Sequence, residues 1–285
     1  MQPMLARPPF DRSDWIYEEK VDGWRMLAYK DADRVRLISR NGVTHTHRFL
    51  DIASAILKLS PDTLVLDGEI AVFDEQLVSR FQLLGEPDPA VLCTPPILIA
   101  FDVLQVDRQD VRRLPLHRRR SILEDTLDGS HLVLPVRRLE PEGPRAWATV
   151  QRRGLEGLVA KDPASTYRSG DTRSWIKVKL RHERVFVVGG IRNVDAFDGV
   201  LVGERVGDEL HYRGVIEWGF KAHDVLRLLR ETRTFAQTTS PFADLRTMRN
   251  AVWMEPRLLA EISYSEIVDG RLRAPSWRGL VRDEY

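Results

Sequence analysis

Cysteine is almost missing from this chain. Cys93 is the only thiol in 285 residues, so no internal disulfide and no multi-cysteine metal site can form. It follows Ala90-Val91-Leu92 and reads as a small core residue. A reducing, cytoplasmic compartment is expected. No apolar run approaches a membrane span and no secretory signal opens the sequence, so neither a membrane protein nor an exported one is expected. Repeats and low-complexity stretches are lacking too. Neither sign of charge is in excess: 43 Lys+Arg against 42 Asp+Glu leave a formal net charge of +1. That excludes a global basic field, but not a nucleic-acid face made by local segregation of charge. Lysine is the most informative scarcity. Lys20, Lys30, Lys58, Lys161, Lys177, Lys179 and Lys221 are the only lysines in a cation set otherwise made of arginine. Arginine stays protonated and cannot act as a nucleophile, whereas a lysine can lose its proton. Each retained lysine is therefore a candidate for chemistry.

The chain is organised around Glu18-Glu19-Lys20-Val21-Asp22-Gly23-Trp24-Arg25. The flanks, Trp15-Ile16-Tyr17 and Met26-Leu27-Ala28-Tyr29, read as strands, and Asp22-Gly23 is a turn pair. Lys20 falls at a strand end or in the turn, its amine free to enter a cleft. On these eight residues alone an ordinary hairpin turn is the better account. A lysine nucleophile loaded with a nucleotide becomes the better account only with the rest of the chain.

Residues 1–14 read as a Pro-rich, irregular lead-in. Val35 to Ser39 alternates as a strand and runs through Arg40 into an Asn41-Gly42 turn. Thr46 to Leu59 has helical spacing and stops at Pro61. Leu64 to Asp74 is a buried strand interrupted by Asp67-Gly68-Glu69. A carboxylate in such a strand must be paired or face a site, so Glu69 is either a ligand contact or half of an ion pair. Ile97 to Leu104 is another buried strand, in which Phe101 by itself reads as core. Leu114 to Leu127 is a helix whose Arg118, Arg119 and Arg120 read as a solvated face in preference to a phosphate contact. Trp147 to Arg153 ends a helix capped by Gly154. Glu156 to Lys161 is a short strand opening on a carboxylate and closing on a lysine. After a polar loop, Trp175-Ile176-Lys177-Val178-Lys179 alternates, putting both lysines on one face. They either guard an exposed edge or hold an anion, and the scarcity of lysine favours the anion. Beyond Lys179 come short strands with close turn signals and one helix, from Ala222 to about Arg233, the pattern of a small OB-type β-barrel. The boundary is placed near 180–183. Residues 181–285 hold 16 basic and 16 acidic side chains, so any DNA-binding face there is local.

Taken together, these stretches resemble the ATP-dependent DNA ligases, within the covalent nucleotidyltransferases that also include RNA ligases and capping enzymes. The resemblance rests on Lys20-Val21-Asp22-Gly23-Trp24-Arg25, Ser39-Arg40-Asn41-Gly42, Asp67-Gly68-Glu69, Phe101-Asp102, Glu156-Gly157-Leu158-Val159-Ala160-Lys161 and Trp175-Ile176-Lys177-Val178-Lys179, in order. It is closest to small bacterial ligases and to the ligase module of bacterial end-joining ligases. It implies an α+β chain with antiparallel sheets: an ATP-grasp-like nucleotidyltransferase (adenylyltransferase) domain over 1–180, then an OB-fold barrel over 181–285.

The resemblance also implies a role for each motif residue. Lys20 attacks the α-phosphate of ATP and carries AMP, which passes to a DNA 5′-phosphate before the 3′-hydroxyl seals the nick. Glu18 contacts adenine and Phe101 stacks on it. Arg25 and Glu69 lie at the ribose, and Arg40 holds a phosphate. Glu156, with Glu69, serves a Mg²⁺ or Mn²⁺ ion. Lys177 and Lys179 hold the α-phosphate, with Lys161 in the same pocket. Such transfers are catalysed mainly by positioning and charge neutralisation, and Mg²⁺ suits a site of few carboxylates plus phosphate oxygens. Arg273-Ala274-Pro275-Ser276-Trp277 matches half of the family's last motif, where Arg273 and Arg282 would serve pyrophosphate or DNA. The other half departs from it: Val281 and Glu284 replace an expected arginine and lysine, which weakens self-adenylylation more than sealing of adenylylated DNA. The implied partner is nicked duplex DNA, with a monomer acting in a bacterial cytoplasm, on the nucleoid, beside a Ku-like protein. An RNA ligase or capping-type transferase using the same lysine, and a non-catalytic nick-binding module, are the alternatives.

Overall fold

The computed structural model describes residues 1–6, 11–85 and 93–281. The chain divides into two compact units, Met1–Leu180 and Arg181–Tyr285. The first runs β1 (Gln2–Ala6), β2 (Ile16–Glu19), β3 (Trp24–Asp31), β4 (Arg34–Ser39), α1 (Leu50–Leu57), β5 (Thr63–Ala71), α2 (Gln82–Gly85), β6 (Ile97–Val106), β7 (Gln109–Asp110), α3 (Leu116–Leu127), β8 (Val133–Pro135), α4 (Gly143–Arg153), β9 (Gly157–Lys161) and β10 (Asp171–Lys179). Two sheets form. One has the order β4-β3-β5-β6-β7, with β8 beside β6; the other has the order β1-β10-β9-β2. Pairing is antiparallel except for β1 with β10 and β6 with β8. The alternation of β3 and β4 faces Met26, Ala28 and Leu37 inward, where they join Ile52 and Ile56 of α1 and Leu123 of α3 in one core. A second core lies under the other sheet and includes Tyr17, Val150 and Leu158.

Three expectations from the sequence change here. The lead-in is not wholly irregular: Gln2–Ala6 forms β1, because the free edge of β10 offers backbone groups that need partners. The single helix expected over Thr46–Leu59 is a 3₁₀ turn, Thr46–Arg48, and then α1, separated at Phe49 by a non-helical backbone (φ −131°, ψ 54°). Arg119 and Arg120 are not a solvated face. Both are buried, because carboxylates wait for them inside, Asp102 for Arg119 and Glu18 for Arg120. Cys93 is half-buried at an isolated bridge with Asp74; the Ala90-Val91-Leu92 that precedes it lies outside the described residues.

The second unit runs β11 (His182–Arg192), β12 (Gly199–Val206), β13 (Glu209–Ile216), α5 (Ala222–Thr234), β14 (Ala236–Gln237), β15 (Ala251–Met254), β16 (Leu259–Tyr264), β17 (Glu266–Val268), β18 (Arg271–Arg273) and β19 (Ser276–Leu280). Its long first strand is shared. The early part of β11 pairs with β16 and its later part with β15, while β12 and β13 extend the other edge. This is an OB-fold arrangement, open in its backbone pairing among the described residues. Phe186, Ile191, Val202, Leu228 and Trp277 meet in its core.

Candidate active site

Lys20 lies between β2 and β3, and its main chain is fixed. Its N–H donates to the Gly157 carbonyl (3.0 Å), the Glu19 N–H donates to Arg137 O (3.0 Å), and the Asp22 N–H donates to Ser79 Oγ (2.8 Å). Gly23 is required next, because a Cβ there would lie 2.3 Å from the Ile70 carbonyl oxygen. The Asp-Gly pair therefore does more than turn the chain: it lets β3 start against β5. The Lys20 ammonium pairs with Glu156 Oε2, and the other oxygen of that carboxylate accepts from Lys179 Nζ at 3.1 Å. One carboxylate thus joins two of the lysines that the composition singles out.

A cleft of about 290 Å³ opens over this turn. Glu18, Lys20, Arg25, Arg40, Glu69, Phe101, Lys161 and Lys177 all line it. Glu156 and Lys179 join it through Lys20. Phe101 gets there by a bulge: Asp67 pairs with Asp102 and Gly68 with Ala100, leaving Phe101 as the extra residue of β6. Trp175 meets Phe101 edge-on, with centroids 6.0 Å apart. Arg25 lies opposite Glu69 across β3 and β5, with its guanidinium carbon 5.3 Å from the centre of the Phe101 ring.

Electrostatics divides the lysines. Lys177 makes no ion pair among the described residues, and burial, then Lys179 and Lys20, pull its pKa down. Asp171 and Glu156 offset this only in part, so among the described residues Lys177 is a cation in a cleft with no direct carboxylate partner, a site for an anionic ligand. Lys161 is different. It is fully buried, its Nζ 2.5 Å from Glu18 Oε2 and 4.0 Å from the centre of the Trp175 ring, and burial outweighs the pull of Glu18 to lower its pKa. Arg120 holds the other Glu18 oxygen at 2.6 Å. The Glu18 carboxylate is therefore engaged on both sides, and what it can offer the cleft is backbone. Glu69 makes no ion pair among the described residues. Burial pushes its pKa up to about 8, against Lys20 and Arg25 and with the help of Glu156 and Asp67.

The residues that the sequence reading missed lie behind this wall. Asp67 is fully buried and takes a two-pronged bond from Arg25 (3.0 and 2.7 Å) and a third from the Tyr167 hydroxyl (2.7 Å). Asp102 takes two bonds from Arg119 (2.7 and 2.8 Å). Asp67 and Asp102 stood inside recognised motifs, but nothing local pointed to Tyr167 or Arg119. Arg273 lies in the other unit, at the end of β18, where it pairs with Glu266 at 2.5 Å. Arg282 lies outside the described residues.

A lysine on a turn at the mouth of such a cleft, in a two-sheet unit followed by an OB fold, defines the covalent nucleotidyltransferase class. Residues 4–179 match the family model described as ATP dependent DNA ligase domain, and residues 194–284 match that described as ATP dependent DNA ligase C terminal region. The chain belongs to the ATP-dependent DNA ligase family. It is 33% identical to the multifunctional non-homologous end joining protein LigD of Mycolicibacterium smegmatis, over 99% of this chain and 38% of that protein. It is 30% identical to DNA ligase C1 of the same organism, over 99% of this chain and 88% of that one. The ligase domain of M. tuberculosis LigD superposes with a TM-score of 0.55 at 28% identity, over 99% of this chain and 95% of that one. The chain spans 35–39% of the length of the LigD relatives. No helix among the described residues is long and apolar enough to cross a membrane.

Proposed function

We propose that this chain seals nicks in duplex DNA with ATP, through a lysyl-AMP on Lys20 and a DNA-adenylate. Residues 1–180 act as the adenylyltransferase domain and 181–285 as the OB-fold domain. The observation that carries this reading is the convergence of Lys20, Glu156 and Lys179 at the mouth of a cleft walled by Phe101, Glu69, Arg25 and Lys177.

Lys20 Nζ, once neutral, attacks the α-phosphorus of ATP. The N–P bond forms, the bond to the bridging oxygen breaks, and pyrophosphate leaves with the electron pair. Glu156 accepts a hydrogen bond from Lys20 beforehand, which aims the amine, and its carboxylate takes the proton that the nitrogen sheds as the N–P bond forms. Lys177 and Lys179 neutralise the non-bridging oxygens, with Arg40 on a further phosphate. Phe101 supplies the stacking face for adenine. The Glu18 main chain reads its edge, with the Glu18–Lys161 pair as the floor beneath. Arg25, held by Asp67, faces the ribose together with Glu69.

A divalent cation fits the donor set. Glu69 lines the cleft and Glu156 borders it through Lys20; Lys20 and Arg25 do not overcome the burial of Glu69, whose carboxyl a cation would hold ionised. Bound Mg²⁺ or Mn²⁺ would supply charge neutralisation on the phosphates. Arg273 and Arg282 are assigned to pyrophosphate or DNA. The end-joining role in the names of the LigD relatives supports a repair setting. A monomer on the bacterial nucleoid with a Ku-like partner is part of the same proposal.

Intact mass after incubation with ATP and Mg²⁺ tests the reading. An AMP-sized gain that disappears in Lys20→Ala is expected, followed by sealing of a DNA nick. A gain from GTP only would replace the reading with a capping-type transfer, and preferential sealing of RNA nicks would replace it with an RNA ligase. No gain and no sealing of pre-adenylylated DNA would refute it.

A further inference from the structure

Trp218 is the most exposed of the large apolar side chains identified in the structure, at 72%. It lies between β13 and α5 on a loop that is held at several points. The Trp277 N–H donates to the Trp218 carbonyl at 2.8 Å. Gly219, at φ +97°, brings the chain so close to β19 that a Cβ would lie 2.5 Å from the Trp277 carbonyl oxygen. Phe220 stacks on Trp277 with centroids 4.9 Å apart, and Phe197 meets Phe220 edge-on at 5.0 Å. Arg192 clasps Glu217 at 2.5 Å and Asp198 at 2.9 Å. The loop bearing Trp218 is thereby locked to residues 193–198, which join the first two strands of the OB fold. An indole left in water on an anchored loop is presented for contact, since a floppy tip would need no such support.

We infer that Trp218 is a nicked-duplex contact of this enzyme, packing its ring against the deoxyribose face of the DNA. The inference rests on the nick-sealing reading. In an OB fold the loop between the first two strands is a principal nucleic-acid surface, and Trp218 is fastened to it. In a duplex the base faces are already stacked, so the sugars are the apolar surface open to a rigid indole. Charge agrees: Lys221, whose backbone N–H is held by Asp224, and Arg227, close by in sequence, are exposed and their side chains make no ion pair among the described residues, which suits them to flanking phosphates.

The test is binding of the full chain to a fluorescein-labelled nicked duplex whose 3′-dideoxy terminus blocks sealing, read by anisotropy. Trp218→Ala should weaken binding by about 10- to 100-fold, the order expected for taking a large apolar side chain out of water, and Trp218→Phe should recover most of it. Lys221→Ala should lower the slope of log affinity against log salt by about one. Wild-type affinity in Trp218→Ala would overturn the inference and leave nick sealing standing. So would slower Lys20 adenylylation in Trp218→Ala with DNA affinity intact, because the indole would then serve the nucleotide step. A wild-type chain that fails to bind the nicked duplex would overturn both readings. Melting curves of each variant separate loss of contact from loss of fold.

Discussion

Gly157→Ala is the sharpest single test of how the cleft is built. Gly157 follows Glu156, accepts the Lys20 N–H through its carbonyl, and faces Lys179 across the β9–β10 ladder. A Cβ at this position would lie 2.1 Å from the Val178 carbonyl oxygen, whereas real Cβ contacts essentially never fall below 3.0 Å. The two strands must therefore part by about 0.9 Å, and they carry Glu156 and Lys179 with them. A misplacement of about 1 Å costs on the order of 10²-fold in rate when a reaction depends on orientation. The assay is single-turnover adenylylation followed by intact mass, with a melting curve beside it. Gly154→Ala is the matched control. Gly154 closes α4 at φ +63° with no heavy atom within 4 Å of its would-be Cβ, so the change adds backbone strain of about 1 to 2 kcal/mol and displaces nothing. The expected pattern is a slow Gly157→Ala and a fast, slightly less stable Gly154→Ala. A Gly157→Ala protein that adenylylates at the wild-type rate would refute the assignment of that ladder as the frame of the site.

Glu69→Gln should change how stability depends on pH. The native carboxyl holds its proton up to about pH 8, whereas the unfolded one releases it near 4.5, so native stability falls as pH rises through that window. The nucleotide-free, metal-free variant should lack this loss and melt progressively higher than wild type from pH 5 to 8; parallel melting curves would remove burial as the cause. Asp102→Leu strands the buried Arg119 charge, at a cost of about 3–5 kcal/mol or roughly 6–20 °C in Tm, while Asp102→Leu with Arg119→Leu should recover most of it. Equal melting points for the single and double variants would show that the charge is not what matters. Tyr167→Phe removes one of three hydrogen bonds on Asp67, worth about 1 kcal/mol, and should raise the ATP concentration for half-maximal adenylylation about fivefold with little change in the maximal rate. An unchanged ATP requirement would show that Arg25 is positioned without Tyr167.

What could be read from the sequence follows the range of the interactions involved. Strands β3, β4 and β9 and helix α5 are local patterns, alternation or helical period bounded by turn residues, and they stand where those patterns put them, whereas β10 begins at Asp171, inside the stretch read as a polar loop. The motif residues share one cleft because the family match carries the tertiary arrangement with it. The supporting shell has no such signal. Tyr167 reaches Asp67 across 100 residues and Arg120 reaches Glu18 across 102, and an arginine that ends buried looks the same in sequence as one in water. Only the carboxylates inside apolar strands hint that buried cations must exist somewhere.

Lysine scarcity marked seven positions as one kind, and the structure separates the four that fall in the motifs. Lys20 and Lys179 share Glu156, Lys177 has no ion pair among the described residues in the cleft, and Lys161 is sealed beneath Trp175 with Glu18. The first three suit transfer of a nucleotidyl group, which needs one nucleophile and compact cations around it. Lys161 persists for a different reason. One Glu18 oxygen already accepts from the planar fork of Arg120, which also bonds the Val136 carbonyl at 2.5 Å. The second oxygen faces a slot between Phe101 and Trp175 that holds an ammonium 5.0 and 4.0 Å from the two ring centres. A second guanidinium is wider, and it would bring five donors where Glu18 and the Phe101 carbonyl offer few acceptors, leaving buried N–H groups unpaired. Rare lysines thus mark two demands that composition cannot distinguish, a reactive or phosphate-facing amine and a small buried cation.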